Sequence, residues 1–144
     1  MAITTNAICN SFKKELLEGT HNFSNPGGNS FKLAMYTNSA TLGKSTTSFT
    51  TGNEVSSPSG YSSGGKALVN AGTSLATNTA ITDFADLSFV GVTLTARGAL
   101  IYNDTNGDKA VAVLDFGGDK TATAGTFTIQ FPAFTTSAAI LRIA

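Results

Sequence analysis

The chain has 144 residues, one Cys, no Trp and a formal net charge of zero, and only 12% of its residues are charged. That length suits one domain with a core of its own, taken here as residues 1–144. Nine basic residues scattered over a neutral chain do not make the basic stripe that nucleic acid demands, so no nucleic-acid partner is expected. Ser and Thr supply the polarity that charges usually supply. Thr suits a pleated strand, and Gly, Ser and Asn suit turns, so the composition predicts a mainly β protein.

The N-terminal segment predicts the only helix, over residues 6–18. Thr5 or Asn6 can cap it, Ile8, Cys9, Phe12 and Leu16 form one apolar face, and Gly19 stops it. No basic-then-apolar leader precedes it and no run is long enough to span a bilayer, so a soluble protein made in a cytoplasm, with no membrane partner, is expected. Cys9 on the helix reads as a small buried residue, because the only His, His21, has no sequence reason to lie beside it. Residues 21–30 are a loop built on Pro26-Gly27-Gly28-Asn29.

Phe31–Thr37 alternates as a half-buried strand, with Phe31, Leu33 and Met35 inward. Residues 38–65 form a long polar excursion whose sizeable apolar groups are Leu42, Phe49, Val55 and Tyr61, with a short strand near Thr46–Thr51. A stretch so long and polar is expected to be ordered by a partner, with Phe49, Val55 and Tyr61 as anchors. Ile8, Phe12 and Leu16 on the helix are further contact candidates. Strands follow at Lys66–Asn70, Thr79–Phe84, Leu87–Thr95 (Gly91 a bulge), Ala99–Asn103, Lys109–Phe116, Thr126–Phe131 and Ala138–Ile143, with Phe127, Ile129 and Phe131 inward. Short strands between Gly-rich turns predict an antiparallel β-sandwich, jelly-roll-like, with one N-terminal α-helix.

Three motifs carry hints of chemistry. Gly60 to Lys66 matches the spacing of a phosphate-cradling loop, but Ala67 stands where a magnesium-binding hydroxyl belongs. Asp104, Asn106 and Asp108 have the opening spacing of a calcium loop, but Lys109 occupies the position that needs Gly, and Asn106-Gly107 reads better as a hairpin turn. This trio is a weak metal candidate and no more. The pairs Asp83/Asp86 and Asp115/Asp119 have no spacing that sets two carboxylates across a cleft. No catalytic residues, no cofactor and no enzymatic activity are expected.

Several long blocks give a resemblance: ITTNAICNSFKKELLEGTHNF, FKLAMYTNSATLG, TARGALIYND, KAVAVLDFGGDKTATAGTFTIQFP and the ending AAILRIA. Together they resemble a family of small structural proteins of tailed bacteriophages, often from phages of cyanobacteria and other aquatic hosts. The resemblance covers nearly the whole chain. It implies a place in the virion and a role as a capsid cement, or decoration, protein that binds the major capsid protein and stabilises the shell. The alternative that it leaves open is a tail, baseplate or host-receptor-binding component. It brings no catalytic residues. Low charge and open sheet edges add an expectation of closed self-association, with a homotrimer as the expected form.

Overall fold

The computed structural model describes residues 3–56 and 60–144. Its chain order is β1 (Ala7–Ile8), α1 (Asn10–Leu17), β2 (Phe31–Tyr36), β3 (Lys66–Ala67), β4 (Asn70–Ala76), β5 (Thr79–Phe84), β6 (Leu87–Asn103), β7 (Lys109–Ile129) and β8 (Leu141–Ile143). The fold is mainly β, with two antiparallel sheets and one short helix. The larger sheet runs β1-β7-β6-β2-β3 and the smaller β4-β5-β8. No helix among the described residues is long and apolar enough to cross a membrane.

The helix is shorter than its apolar spacing predicts. Residues 6–8 are not helical: Ala7 and Ile8 pair with Val113 and Ala112. The N–H groups of Cys9 and Asn10 go to the Val111 and Lys44 carbonyls, so the would-be first turn is spent on neighbours. Cys9 is the N-cap, with an extended backbone and no side-chain cap bond. The C-terminus behaves as predicted. Gly19 takes φ +76°, its N–H bonds the Leu16 carbonyl and the Thr20 N–H bonds the Glu15 carbonyl, which is a Schellman closure.

β2 is not half-buried. Phe31, Leu33 and Met35 face the core as predicted, but Ala34 and Tyr36 are buried too. The reason is the 38–65 excursion, which packs back onto β2. Met35 donates its N–H to the Tyr61 hydroxyl and accepts from the Val55 N–H, and the Tyr36 hydroxyl donates to the Thr50 carbonyl. Phe49 N–H bonds the Asp108 carbonyl and Ala110 N–H bonds the Thr47 carbonyl, tying the excursion to the far end of the sheet. Of the strand expected over 46–51, only a bridge between Ser48 and Lys109 forms. The described part of the excursion is therefore tied to its own chain at several backbone groups.

The bulge expected at Gly91 forms, and the predicted breaks at Ala96–Gly98 and after Phe116 become irregularities within continuous strands. β6 runs on through Gly91 and through Ala96–Gly98, and β7 runs on through Gly117-Gly118, as strands of 17 and 21 residues. Register shifts fall between Phe89 and Val92, Val92 and Leu94, and Ala96 and Gly98. Such bulges bend a strand pair. The bend here is large. The rings of Phe116 and Phe127, both on β7, lie 5.8 Å apart, whereas a straight strand at ~3.3 Å per residue would hold them about 36 Å apart. The β6–β7 hairpin thus doubles back over the core, and bends of this kind let one strand serve two walls of a sandwich. An aromatic chain fills the space between. Phe23 and Phe31 stack with centroids 4.4 Å apart, and Phe84 links Phe31 to Phe131 at 5.9 and 5.7 Å. Phe127, Ile129 and Phe131 are buried as expected. The last strand starts later than predicted, at Leu141.

Candidate functional site

The arrangement closest to catalytic machinery surrounds His21. Its Nε2 lies 2.9 Å from Glu15 Oε1 and its Nδ1 lies 3.0 Å from Asn103 Nδ2. Asn103 settles the proton. Its Oδ1 already accepts the N–H groups of Thr105 and Asn106, and its Nδ2 also faces Asn29 Oδ1 at 3.0 Å. An amide NH2 next to Nδ1 makes Nδ1 the acceptor, so Nε2 carries the proton and donates it to Glu15. Both ring nitrogens are thus taken, and the ring is closed in by Phe12 at 4.8 Å. His21 pins α1, the 21–30 loop and the β6–β7 turn together. It has no lone pair free for a substrate. Cys9 offers no nucleophile either. Its Sγ points at the Gly43 carbonyl, and burial, reinforced by the Glu15 charge, pushes its thiol up to about 11.

The glycine-rich segment from Gly60 to Lys66 does hold an anion, and that anion is the chain's own Glu54. Glu54 Oε2 accepts from the Tyr61 hydroxyl at 2.7 Å and from the Gly64 N–H at 2.8 Å, and Oε1 accepts from Ser63 Oγ at 2.9 Å. Burial first, then the bond to Glu54, holds the Tyr61 phenol far above its usual range. Gly65, at φ +78°, lies so close to β2 that a Cβ would sit 1.8 Å from the Leu33 carbonyl oxygen. Lys66 turns away, donating to the Ser88 carbonyl and lying 5.8 Å over the Phe89 ring. The segment is a turn that anchors the excursion, its Gly64 N–H and the Tyr61 and Ser63 hydroxyls already given to Glu54.

The 104–108 turn divides its polar groups among separate partners. Asp104 lies 3.8 Å from Lys32 Nζ, Asn106 Nδ2 donates to the Thr20 carbonyl, and the Asp108 carbonyl receives the Phe49 N–H. Gly107 and Asp108 take φ +69° and +56°, the left-handed geometry of a hairpin turn. Among the described residues no three His, Cys, Asp or Glu side chains group to hold a metal. Of the acidic pairs, Asp115 is held low by the Gly117 N–H and then by Arg97, its ion-pair partner. Asp83 is held high by burial. Burial outweighs the backbone N–H groups of Phe84 and Ile140 that face its carboxyl.

The six contact candidates belong to the chain's own interior. Phe12, Val55 and Tyr61 are buried in the core. Ile8, Leu16 and Phe49 are packed against it, and Phe49 stacks on Tyr102 at 4.7 Å. Phe12, Val55 and Tyr61 are spent on the chain's own core, and the few apolar residues of a polar stretch are what hold it there. The surface left unsatisfied lies elsewhere. The inner curve of β7 borders a groove of about 780 Å³ with Phe116, Phe127 and Ile129 at its base and threonines at its rim. Beyond Val113 no described strand pairs with β7 on the groove side. On the smaller sheet, Leu75, Ala80 and Ile143 stand opposite one another in one exposed row. Sequence patterning missed the groove because the bend that creates it depends on several bulges acting together.

No family model, no curated protein and no solved structure matches this chain.

Proposed function

We propose that the chain is a structural subunit of a tailed-bacteriophage particle. In this reading it is a capsid cement, or decoration, protein that binds the major capsid protein and associates with itself on the shell. It is neither an enzyme nor a cofactor carrier. The observation that carries this reading is where the molecule leaves polar and apolar groups unsatisfied. His21 and the glycine-rich turn have their partners inside the chain, whereas a long strand edge of β7 and the aliphatic row at Leu75 and Ile143 face outward. A shell protein gains its hold from many repeated contacts rather than one site, and open edges with few charges suit permanent association. The phage family resemblance of the sequence blocks supports the same role.

Electron cryo-microscopy of purified particles, with peptide mass spectrometry of the same preparation, tests it. The expected result is density for this fold in many copies on the outer shell. Few copies confined to the tail or baseplate would move the chain to a tail or receptor-binding role. Absence from the particle would end the structural reading.

A further inference from the structure

We propose that copies of this chain associate head to tail, with the β4–β5 hairpin of one copy lying along the open edge of β7 in the next. The inference deepens the structural-subunit reading above and rests on it. It begins with the hairpin. Every residue from Thr73 to Asn78 is exposed, and the turn passes through Thr77 at φ +55°. Among the described residues β4 pairs with β5 alone, and from Thr73 on its outer edge meets no described strand. From Asn70 to Thr82 there is no charged residue, although charges are the usual protection of an open edge. Leu75 is 73% exposed and, across Ala80, Ile143 is 60% exposed. β8 covers only Ala80–Thr82 on the far side of β5, so the exposed end of the hairpin carries a bare leucine and no charge to guard its outer edge.

The β7 groove has the complementary features. Asn6 Oδ1 accepts the Asp115 N–H, doing with a side chain what a main-chain carbonyl would do on a paired strand. The edge of β7 is thus directed into the groove at the point where β1 ends. Past it, the base is apolar and the rim hydroxylated, and Asp115 is already occupied by Arg97 and the Gly117 N–H. Such a site takes an uncharged extended strand with an apolar side chain, which is β-augmentation. Thr73–Ala76 extended spans about 13 Å, and about 780 Å³ is room for several residues. One chain carries both halves, and each supplies what the other lacks, so the occupant is a second copy. A contact between two different surfaces builds a ring when its rotation closes, and the homotrimer expected from the sequence is one such ring.

Light scattering coupled to size exclusion, on the full chain, tests this. The wild type is expected to run as an oligomer of the 14.7 kDa chain. Leu75→Asp on the arm and Thr126→Arg on the groove rim should each weaken association by about a hundredfold or more, giving monomers. Both sites are exposed, so the circular dichroism should stay that of the wild type; Leu75→Ser replaces Leu75→Asp if it does not. An equimolar mixture of the two variants should form dimers and nothing larger, because it contains one intact arm and one intact groove. A monomeric wild type at about 100 µM, wild-type assembly by Leu75→Asp, or a mixture that stays monomeric would each overturn the proposal. Those results leave the chain's presence on particles intact, whereas its absence from particles would end the structural reading whatever assembly it showed.

Discussion

Removing the Glu54 carboxylate tests what holds the excursion in place. Glu54 receives three hydrogen bonds, from the Tyr61 hydroxyl, Ser63 Oγ and the Gly64 N–H. Tyr61 is buried, and its hydroxyl also accepts the Met35 N–H, so the cluster joins residues 54–64 to the middle of β2. A bond to a charged acceptor contributes about 1.5–3 kcal/mol when buried, and a buried donor left unpaired costs about 1–3 kcal/mol. Ser63 is exposed, so its share is small. Counting the Tyr61 and Gly64 donors alone, Glu54→Ala should cost about 3 kcal/mol. For a chain of this length that is a fall of about 10 °C in Tm. Glu54→Gln keeps an acceptor for Tyr61 and Gly64 and loses only the charge, so its cost should be about 1 kcal/mol. Urea unfolding followed by circular dichroism, with fitted slopes compared between variants, measures both. A loss below about 0.5 kcal/mol for Glu54→Ala would mean that these donors have other acceptors, and the account of the turn would fail.

Other outcomes follow from the same structure. Burial raises the folded-state pKa of Asp83 above its unfolded value, so its carboxyl stabilises the fold at low pH and is lost as a contribution once pH rises through the folded pKa. Asp83→Asn should therefore raise Tm at pH 7, by on the order of 1 kcal/mol of stability, and the gain should vanish below the ordinary Asp range; a gain unchanged down to pH 3 would contradict this. Gly65→Ala should cost well over 2 kcal/mol, because its Cβ meets the Leu33 carbonyl, while Gly117→Ala, at φ +80° in open space, should cost about 1 kcal/mol; equal thermal shifts would refute the clash. His21→Ala should lose about 3 kcal/mol, since it empties a packed site and removes one partner each from Glu15 and Asn103, and denaturant midpoints would show it.

Much of the fold was legible because local pattern and burial agree over short strands. Phe31–Tyr36 and Thr79–Phe84 appear where alternation and turn residues put them, and Gly91 marks a bulge as its place in an apolar run suggests. The misreadings share a cause. Ala7 and Ile8 fit a helical face, but their backbone is claimed by β7. Gly98 and Gly117-Gly118 read as strand ends, and each instead lets a long strand bend and continue. Tertiary pairing overrides propensity at those positions, and no window of the sequence contains the partner strand.

The proposed contact residues pack on the chain's own core for a related physical reason. Phe49, Val55 and Tyr61 stand out in a polar stretch, and prominence suggests a partner. Yet a long segment with little apolar surface has few means of attaching to its own core, so it commits those it has. Tyr61 buries its ring and uses its hydroxyl to join β2 to Glu54. The residues that are free to meet a partner are those whose own core has no place for them. Leu75 and Ile143 lie on the sheet face that also carries Thr82, which is buried, yet both are exposed. Alternation reports the face of a strand and says nothing of where along the strand the core stops. In the head-to-tail association proposed above, Leu75 and Ile143 belong to the surface that a neighbouring subunit completes.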